Sequence, residues 1–304
     1  MKTLIVITGP TASGKSALAV ELAEYYGTEI VSADSRQIYQ GIPIGTAVPS
    51  ADERRRVPHH LVEILPLDSY YSAALFEQDA LSALDSIWKK RDIAILCGGS
   101  MMYIDAVTRG IDDLPTIPDS LRSEIKALYE TEGLQAIIDR LKDLDPDYLA
   151  TTDLSNQRRL IHALEICIQA GVPYSSLRTG KAKEREFRII KMAISMPRER
   201  LFDRINRRVD RMVEQGLEEE VESVAHLRHL NSLNTVGYKE LFAMRDGILS
   251  RGEAIARIAK NTRVYAKKQL LWLSKDPAIH FLDADRPLLG QAITIIEQSL
   301  KNQD

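Results

Sequence analysis

Short apolar runs alternate with helical patterns in the first hundred residues of the chain. The runs TLIVIT (3–8), EIVSADS (29–35) and DIAILCGG (92–99) are continuous rather than alternating, which is typical of buried parallel strands. Helical periodicity lies between them, at 15–26 and 73–90. Strands that alternate with helices predict an α/β fold, a parallel sheet flanked by helices that binds ligands at the carboxyl ends of its strands.

After Pro115 the pattern becomes helical, and residues 119–170 contain no strand candidate. A strand returns in FRIIKMAIS (187–195). Long helices are predicted at 198–229, 237–246 and 252–275. We therefore expect an α/β core with a small all-helical insertion domain. The expected boundaries are 1–112 and 186–304 for the core and 113–185 for the insertion.

The composition, 44% hydrophobic and 27% charged residues in a chain of 304, is that of an ordinary soluble globular protein. No segment approaches the ~20 apolar residues that a membrane span needs. The first strand begins within three residues of the N-terminus, which leaves no room for a signal peptide. We expect a cytoplasmic protein with no membrane partner, acting as a monomer.

The net charge of −3 hides an uneven distribution of charge. Residues 181–211 hold eleven Lys and Arg against five acidic residues, and 257–268 hold five more basic residues and no acidic one. This segregation is typical of a protein that binds a polyanion with one face, and equally of a solvated basic helix.

The segment GPTASGKS (9–16) joins the first strand to the first helix. In this G-x-x-x-x-G-K-S pattern, which is typical of ATP- and other nucleotide-binding proteins, the backbone wraps an anion and the helix adds its positive N-terminal end. In this pattern Lys15 supplies a point charge for the outer phosphate oxygens, and the Ser16 hydroxyl can ligate Mg²⁺. The loop predicts a bound di- or triphosphate. The expected phosphate-binding residues are Gly9, Thr11, Ala12, Ser13, Gly14, Lys15 and Ser16.

Apart from this loop, the sequence shows no sign of the Mg²⁺-holding carboxylate that nucleoside triphosphate hydrolysis requires. The strand DIAILCGGS ends without the carboxylate that would hold Mg²⁺. Asp34, at the end of EIVSADS, is the carboxylate best placed for chemistry, and it lies beside the loop if the two strands are neighbours. It is either a helix cap or a base or metal ligand.

Seven segments, in order, resemble those of bacterial tRNA dimethylallyltransferases, also called tRNA isopentenyltransferases. They are GPTASGKSALA, SADSRQIYQGIPIGTA, GGSMMYIDA, RRLIHALEI, LFDRINRRVDRMVEQGLEEEV, NTVGYKEL and NTRVYAKKQLLWL. The resemblance implies transfer of a dimethylallyl group from dimethylallyl diphosphate to N6 of the adenosine just 3′ of the anticodon, with Mg²⁺. The loop would then hold the donor's diphosphate, and the bond that breaks is carbon–oxygen, so no water needs to be activated.

Four catalytic residues follow from this resemblance together with the loop pattern. Asp34 is the expected base for the adenine amine, and Lys15 stabilises the departing diphosphate. Thr11 matches a family threonine near the bridging oxygen, and Arg208 matches a family arginine directed at the diphosphate. Arg208 also fits an exposed basic helix face. The tRNA contacts are expected from Asp34, Ser35, Arg36, Gln37, Ser100, Arg122, Gln157, Arg158, Arg159, Leu160, Ile161, His162, Asn234, Thr235, Val236, Gly237 and Tyr238.

Three positions depart from the family pattern. Val48 stands where members usually have a lysine, Ser100 replaces a threonine, and His162 replaces an arginine in RRLIHALE. The sequence leaves three alternatives open: an adenylate isopentenyltransferase acting on free AMP or ADP, a small-molecule kinase, and a non-catalytic tRNA-binding module. The helical insertion and the basic helix around Tyr265 favour a tRNA substrate over free nucleotide.

Overall fold

Six parallel strands form the central sheet, which confirms the α/β fold predicted from the sequence. The computed structural model describes residues 1–301. The strands are β1 (Thr3–Thr8), β2 (Ile30–Ala33), β3 (His59–His60), β4 (Ile93–Gly98), β5 (Arg188–Ser195) and β6 (Ile279–Asp283). Their order across the sheet is β3-β2-β4-β1-β5-β6. This order places β4 between β2 and β1, so the two strands that carry Asp34 and the phosphate-binding loop are not neighbours.

Helices surround and extend the sheet. They are α1 (Lys15–Tyr26), α2 (Pro43–Thr46), α3 (Ala51–Arg56), α4 (Ala73–Trp88), α5 (Met101–Arg109), α6 (Asp119–Leu144), α7 (Pro146–Thr151), α8 (Gln157–Ala170), α9 (Tyr174–Leu177), α10 (Arg198–Glu214), α11 (Leu217–Ser223), α12 (Tyr238–Arg245), α13 (Arg251–Leu273) and α14 (Leu288–Lys301). The single helix predicted over 198–229 is wrong. It breaks into α10 and α11 because Gly216 adopts a left-handed backbone with φ 96°. Within residues 1–301, every helix is too short or too polar to cross a bilayer.

The sheet is buried on both faces. Successive side chains of β1 point to opposite sides, and all of Leu4–Ile7 are fully buried. Ile5 and Ile7 pack against α1 and α14, whereas Leu4 and Val6 pack against α4 and α5. Each fully buried aliphatic side chain of this kind contributes about 1.5–3 kcal/mol. The helices packed on both faces hold the carboxyl ends of the strands in fixed positions.

The described chain divides into two compact units. One comprises Met1–Arg109 and the residues from Arg185 onwards, and the other is Gly110–Glu184. The sequence pattern predicts 113–185 for the second unit. That unit is built from α6 to α9 around a core that includes Ile137, Leu141 and Leu160. Gly133 interrupts α6 with φ 79°, so α6 is two helical segments joined by a kink.

Candidate active site

The phosphate-binding loop leaves β1 after Thr8 and enters α1 at Lys15. Gly14, at the N-cap of α1, has φ 103°, a conformation that side chains with a Cβ rarely adopt. The first N–H groups of α1, those of Lys15, Ser16 and Ala17, have no partner within a helix. The loop therefore presents amide donors and the positive end of the helix at one place, which is the arrangement that binds an anion.

Lys15 lies half-buried at this place. Its Nζ donates to the carbonyl of Pro10 at 3.5 Å. Burial lowers the pKa of Lys15 from its ordinary value, and the nearby Arg208 lowers it further, whereas Asp34 acts in the opposite direction. An anionic ligand stabilises the charged form of such a lysine, because the ligand's charge replaces the hydration that burial removed.

Helix α10 presents arginines to the loop. Leu201, Ile205 and Val209 face the core, so the opposite face carries Arg204, Arg207, Arg208 and Arg211 along a cavity of about 740 Å³ that also includes Ala12, Gly14 and Ser16. Arg208 is the most enclosed of the four, and its Nη1 donates to Thr11 Oγ1 at 3.0 Å. Burial lowers the pKa of Arg208, and Asp34 partly offsets this. The side chain of Arg208 therefore contacts the phosphate-binding loop and does not lie on an exposed face of α10.

The remaining basic residues of 181–211 are largely paired. Arg185 binds Glu77 at 2.6 Å, Lys191 binds Asp276 at 2.8 Å, and Arg200 pairs with Asp285. Ordinary ion pairs therefore neutralise much of this segment. Within residues 181–211, the cationic surface that the uneven charge distribution predicts is concentrated on α10 beside the loop.

The two glycines at the end of β4 allow Asp34 and the loop to share a site although their strands are not adjacent. A Cβ on Gly98 would lie 2.1 Å from the carbonyl oxygen of Ala33, so glycine is required for β2 and β4 to meet there. The N–H of Ser100 donates to the same Ala33 oxygen, and Ser100 Oγ accepts from the N–H of Ser35 at 2.8 Å. These bonds fix the chain on either side of Asp34.

Asp34 is both a cap and a candidate base. Its Oδ1 accepts from the N–H groups of Arg36 and Gln37, at 2.9 and 3.4 Å. Among residues 1–301, Oδ2 accepts no hydrogen bond. Capping therefore orients the carboxylate and leaves its second oxygen for chemistry.

A cavity of about 610 Å³ brings together the groups predicted for catalysis. Thr11, Lys15, Asp34 and Arg208 all line it. Ser16 also lines it, and Cys97 forms part of its floor, where burial raises the pKa of the Cys97 thiol to about 11. The cysteine is thus a neutral side chain near neutral pH. The charged groups that line the cavity include Lys15 of the loop, Arg208 and Arg211 of α10, and the carboxylates of Asp34 and Glu53.

Several residues predicted to contact tRNA have side chains engaged within the protein. Arg36 donates to the carbonyls of Asn231 and Ser232, and Gln37 donates to those of Thr46 and Ala47. In the segment 234–238, the first three residues are half-buried. Gly237 is buried and donates its N–H to Glu240 Oε2.

Tyr238 is fully buried, and its hydroxyl donates to Glu220 Oε1 at 2.5 Å. The same carboxylate accepts the N–H groups of Ile44 and Gly45, each at 2.7 Å. A Cβ on Gly45 would lie 2.5 Å from the Tyr238 hydroxyl. Tyr238 therefore fixes the α2 segment against α11, and its side chain supports this segment from behind.

In the helical unit, the start of α8 is an exposed polar surface. Gln157, Arg158 and Arg159 are exposed, and Asn156 caps the helix by accepting from the N–H of Arg159. Leu160 is fully buried and Ile161 half-buried, so both lie on the core side. The other two predicted residues of this unit are His162, which lies 3.7 Å from Glu165, and Arg122, whose Nε donates to the carbonyl of Ile117.

Two residues of α13 reach the site. Gln269 is absent from the sequence-based predictions, and Tyr265 was expected on a basic helix that favours a tRNA substrate rather than in this cavity. Gln269 contacts the phosphate-binding loop, and the Tyr265 hydroxyl donates to the carbonyl of Gly99 at 3.3 Å. Both line the 610 Å³ cavity. The available signal was their spacing of four residues, which places them on one face of a helix, but periodicity does not reveal what that face meets.

The chain is similar to a known family over most of its length. The family model described as IPP transferase matches residues 37–276. A tRNA dimethylallyltransferase 1 of Bacteroides thetaiotaomicron is 50% identical over 94% of this chain and 93% of its own, and a tRNA dimethylallyltransferase 2 of Porphyromonas gingivalis is 49% identical over 97% and 98%.

The fold is also similar to those of solved enzymes with this activity in their names. The full-length tRNA isopentenylpyrophosphate transferase of Bacillus halodurans matches over the whole of both chains, with a TM-score of 0.72 and 33% identity. A eukaryotic dimethylallyltransferase, solved in a study of its action on tRNA, matches all of this chain and 81% of its own with a TM-score of 0.86 and 26% identity.

Proposed function

The chain belongs to the IPP transferase family, and we propose that it transfers a dimethylallyl group from dimethylallyl diphosphate to N6 of the adenosine 3′-adjacent to the anticodon in tRNA. The products are N6-isopentenyladenosine and diphosphate. The observation that carries this proposal is the shared cavity, which Lys15 of the phosphate-binding loop and the carboxylate of Asp34 both line. We further propose that the enzyme acts in the cytoplasm, where its tRNA substrate is, and as a monomer. Lys15 and Asp34 come from one chain, so the proposed chemistry needs no second copy.

The donor side of the cavity is built to stabilise a departing diphosphate. As the bond between C1 of the dimethylallyl group and the bridging oxygen breaks, negative charge develops on the diphosphate. Lys15, Arg208 and the N–H groups at the start of α1 supply positive charge at that place. Because Thr11 Oγ1 accepts from Arg208, its own hydroxyl proton is available for the bridging oxygen.

The acceptor side requires a base, because the lone pair of an exocyclic adenine amine is delocalised into the ring. Asp34 Oδ2 accepts a hydrogen bond from N6–H and then the proton, while N6 attacks C1. The target base leaves the anticodon loop to reach the carboxylate, which costs less from a single-stranded loop than from a duplex.

Mg²⁺ is expected with the donor, and the residues present fit an ion held chiefly by the diphosphate. No cluster of three or more His, Cys, Asp or Glu suited to a metal occurs among residues 1–301. Ser16 is exposed at the start of α1 and lines both cavities. Protein sites of this kind contribute one or two ligands, while phosphate oxygens and waters complete the shell. When bound, Mg²⁺ would neutralise part of the diphosphate charge.

The tRNA is proposed to contact both units. In the core, α13 carries Lys260, Lys267 and Lys268 as exposed basic residues, and Tyr265 is 39% exposed among them. In the helical unit, the exposed arginines at the start of α8 are suited to phosphates, which position the RNA without reading its sequence. Leu160 is buried and would support the α8 surface, and Tyr238, which is buried behind α2, would leave the contact with tRNA to its neighbours.

Replacing Arg158 and Arg159 together with Ala is expected to weaken tRNA binding and flatten its salt dependence. Each phosphate contact with a single strand contributes about 0.7 to the slope of log K against log salt, so the slope should fall by about 1.4. Binding would be titrated at several salt concentrations.

A matched control is Lys126→Ala with Lys142→Ala, which removes the same charge from the same unit. These lysines already pair with Glu130 and Asp139, at 3.7 and 2.7 Å. If the variant lacking Arg158 and Arg159 bound tRNA like the control at every salt concentration, α8 would not be part of the interface.

The lowered pKa of Lys15 predicts an alkaline limit to activity. Burial disfavours the charged form, so the lysine loses its proton as pH rises through a value below the ordinary ~10.4. The neutral lysine no longer stabilises the departing diphosphate. We expect kcat/KM for the donor to fall over that range. In Lys15→Arg the limit should disappear, because arginine stays protonated. An unchanged alkaline limit in Lys15→Arg would assign it to another group.

The acceptor class is tested by comparing turnover on an anticodon stem-loop with turnover on AMP. We expect transfer to the stem-loop and little to AMP, and no consumption of ATP when ATP replaces the donor. Preferential transfer to AMP would establish the adenylate isopentenyltransferase instead, and phosphoryl transfer from ATP would establish a kinase.

A further inference from the structure

The side chain of Gln269 extends from α13 to the phosphate-binding loop. It is 3% exposed. Its Oε1 accepts from the N–H of Thr11 at 2.9 Å, and its Nε2 donates to the carbonyl of Gly99 at 2.8 Å. One partner can only donate and the other can only accept, so the amide of Gln269 has a single satisfactory orientation. The side chain therefore ties the loop after β1 to the end of β4.

The second glycine of the β4 end is required for this contact. A Cβ on Gly99 would lie 2.4 Å from Gln269 Nε2. Gly98 leaves room for Ala33 in the same way, so each glycine of the pair admits a different neighbour. The pair thus lets the end of β4 pack against both β2 and α13.

The backbone N–H and the hydroxyl of Thr11 are both assigned by these contacts. Its N–H is occupied by Gln269, so this amide is not one of the loop's anion donors. Its Oγ1 accepts from Arg208, which leaves the hydroxyl proton as the donor that Thr11 offers to the cavity. Holding the backbone of Thr11 fixes where that hydroxyl lies.

We propose that Gln269 is a positioning residue for diphosphate departure, because it holds Thr11 where its hydroxyl meets the bridging oxygen of the donor. This inference rests on the proposed function above. Gln269 touches neither substrate in this role and acts through Thr11. If the Thr11 hydroxyl is displaced, its hydrogen bond to the bridging oxygen weakens, and a shift of about 1 Å can cost ~10²-fold in rate.

The first test is Gln269→Met, which keeps the length and apolar bulk of the side chain and removes both hydrogen bonds. We expect kcat to fall by up to ~10²-fold with KM for tRNA little changed. The matched control is Trp272→Phe on the same helix, which loses the bond from Trp272 Nε1 to Asp105 Oδ2 at 3.1 Å and does not touch the loop. Its kcat should stay close to that of the wild type.

A double-mutant cycle with Thr11→Val separates positioning from general stabilisation. If Gln269 acts through Thr11, the double variant is about as slow as Thr11→Val alone. Losses that multiply, or a Gln269→Met enzyme as fast as Trp272→Phe, would overturn the inference. Because the wild type and Trp272→Phe report tRNA prenylation by themselves, either result would leave the proposed function standing.

The variant Gln269→Glu tests the same role independently, also if Gln269→Met does not fold. An ionised carboxylate accepts from Thr11 but cannot donate to the Gly99 carbonyl, whereas a protonated carboxyl does both. The rate of Gln269→Glu relative to the wild type should therefore rise as pH falls. A ratio that is constant with pH would contradict the role of the amide.

Discussion

Replacing Asp34 with Asn is expected to slow the chemical step by ~10²–10⁴-fold, the range typical of general bases. Asparagine retains an oxygen for the N–H groups of Arg36 and Gln37, so the local turn should persist. Its amide nitrogen would occupy the place of Oδ2 and has no means of accepting the proton from N6. Single-turnover rates at saturating tRNA would measure the loss, and tRNA affinity should change little.

Asp105→Asn is a suitable control for this substitution. Asp105 is also a partly buried carboxylate, but it accepts a hydrogen bond from Trp272 and does not line the cavity. Its variant should retain nearly the wild-type rate. If Asp34→Asn prenylated tRNA as fast as this control, the base would have to be another group, and Asp34 would be a turn cap alone.

Replacing Lys15 with Ala is expected to lower the rate of transfer by ~10²–10³-fold, similar to the loss of one donor to a developing oxyanion. The lysine is half-buried beside the loop, so its charge is screened less than at an open surface. Binding of tRNA should persist, since its proposed contacts lie on α8 and α13. Measuring donor and tRNA dissociation separately from the single-turnover rate distinguishes these effects.

Lys90→Ala provides the control, because Lys90 is exposed and lies 4.0 Å from Glu29. We expect it to behave like the wild type. A collapse of tRNA binding in Lys15→Ala, with transfer unaffected at saturation, would mean that the loop clamps the RNA backbone and that its ligand has been misassigned.

The parallel sheet was predictable because its central strands carry strong local signals. β1 is a continuous apolar run, and the phosphate-binding loop after it has a distinctive pattern. The edge strands lack such signals. β3 has two residues, and in β6 only Ile279 and Leu282 are buried, so neither produces a recognisable run.

Strand order and long-range contacts were less accessible to the sequence. The expectation that Asp34 reaches the loop assumed neighbouring strands, whereas β4 lies between them and its glycines make the approach. Gln269 lies 258 residues from Thr11 in the chain, and no local pattern couples them. Tyr238 lies in the family segment NTVGYKEL, and its full burial depends on packing that the segment does not encode.

The fate of both substrates in one reaction tests the central claim most directly. Dimethylallyl diphosphate would carry a heavy-oxygen label between C1 and the first phosphorus, and tRNA would carry a nitrogen-isotope label at N6 of the adenosine next to the anticodon. We predict that mass spectrometry finds the dimethylallyl group on the labelled nitrogen and the heavy oxygen within intact diphosphate. Orthophosphate as the released product, or a labelled adenosine left unmodified while another acceptor is prenylated, would contradict the account.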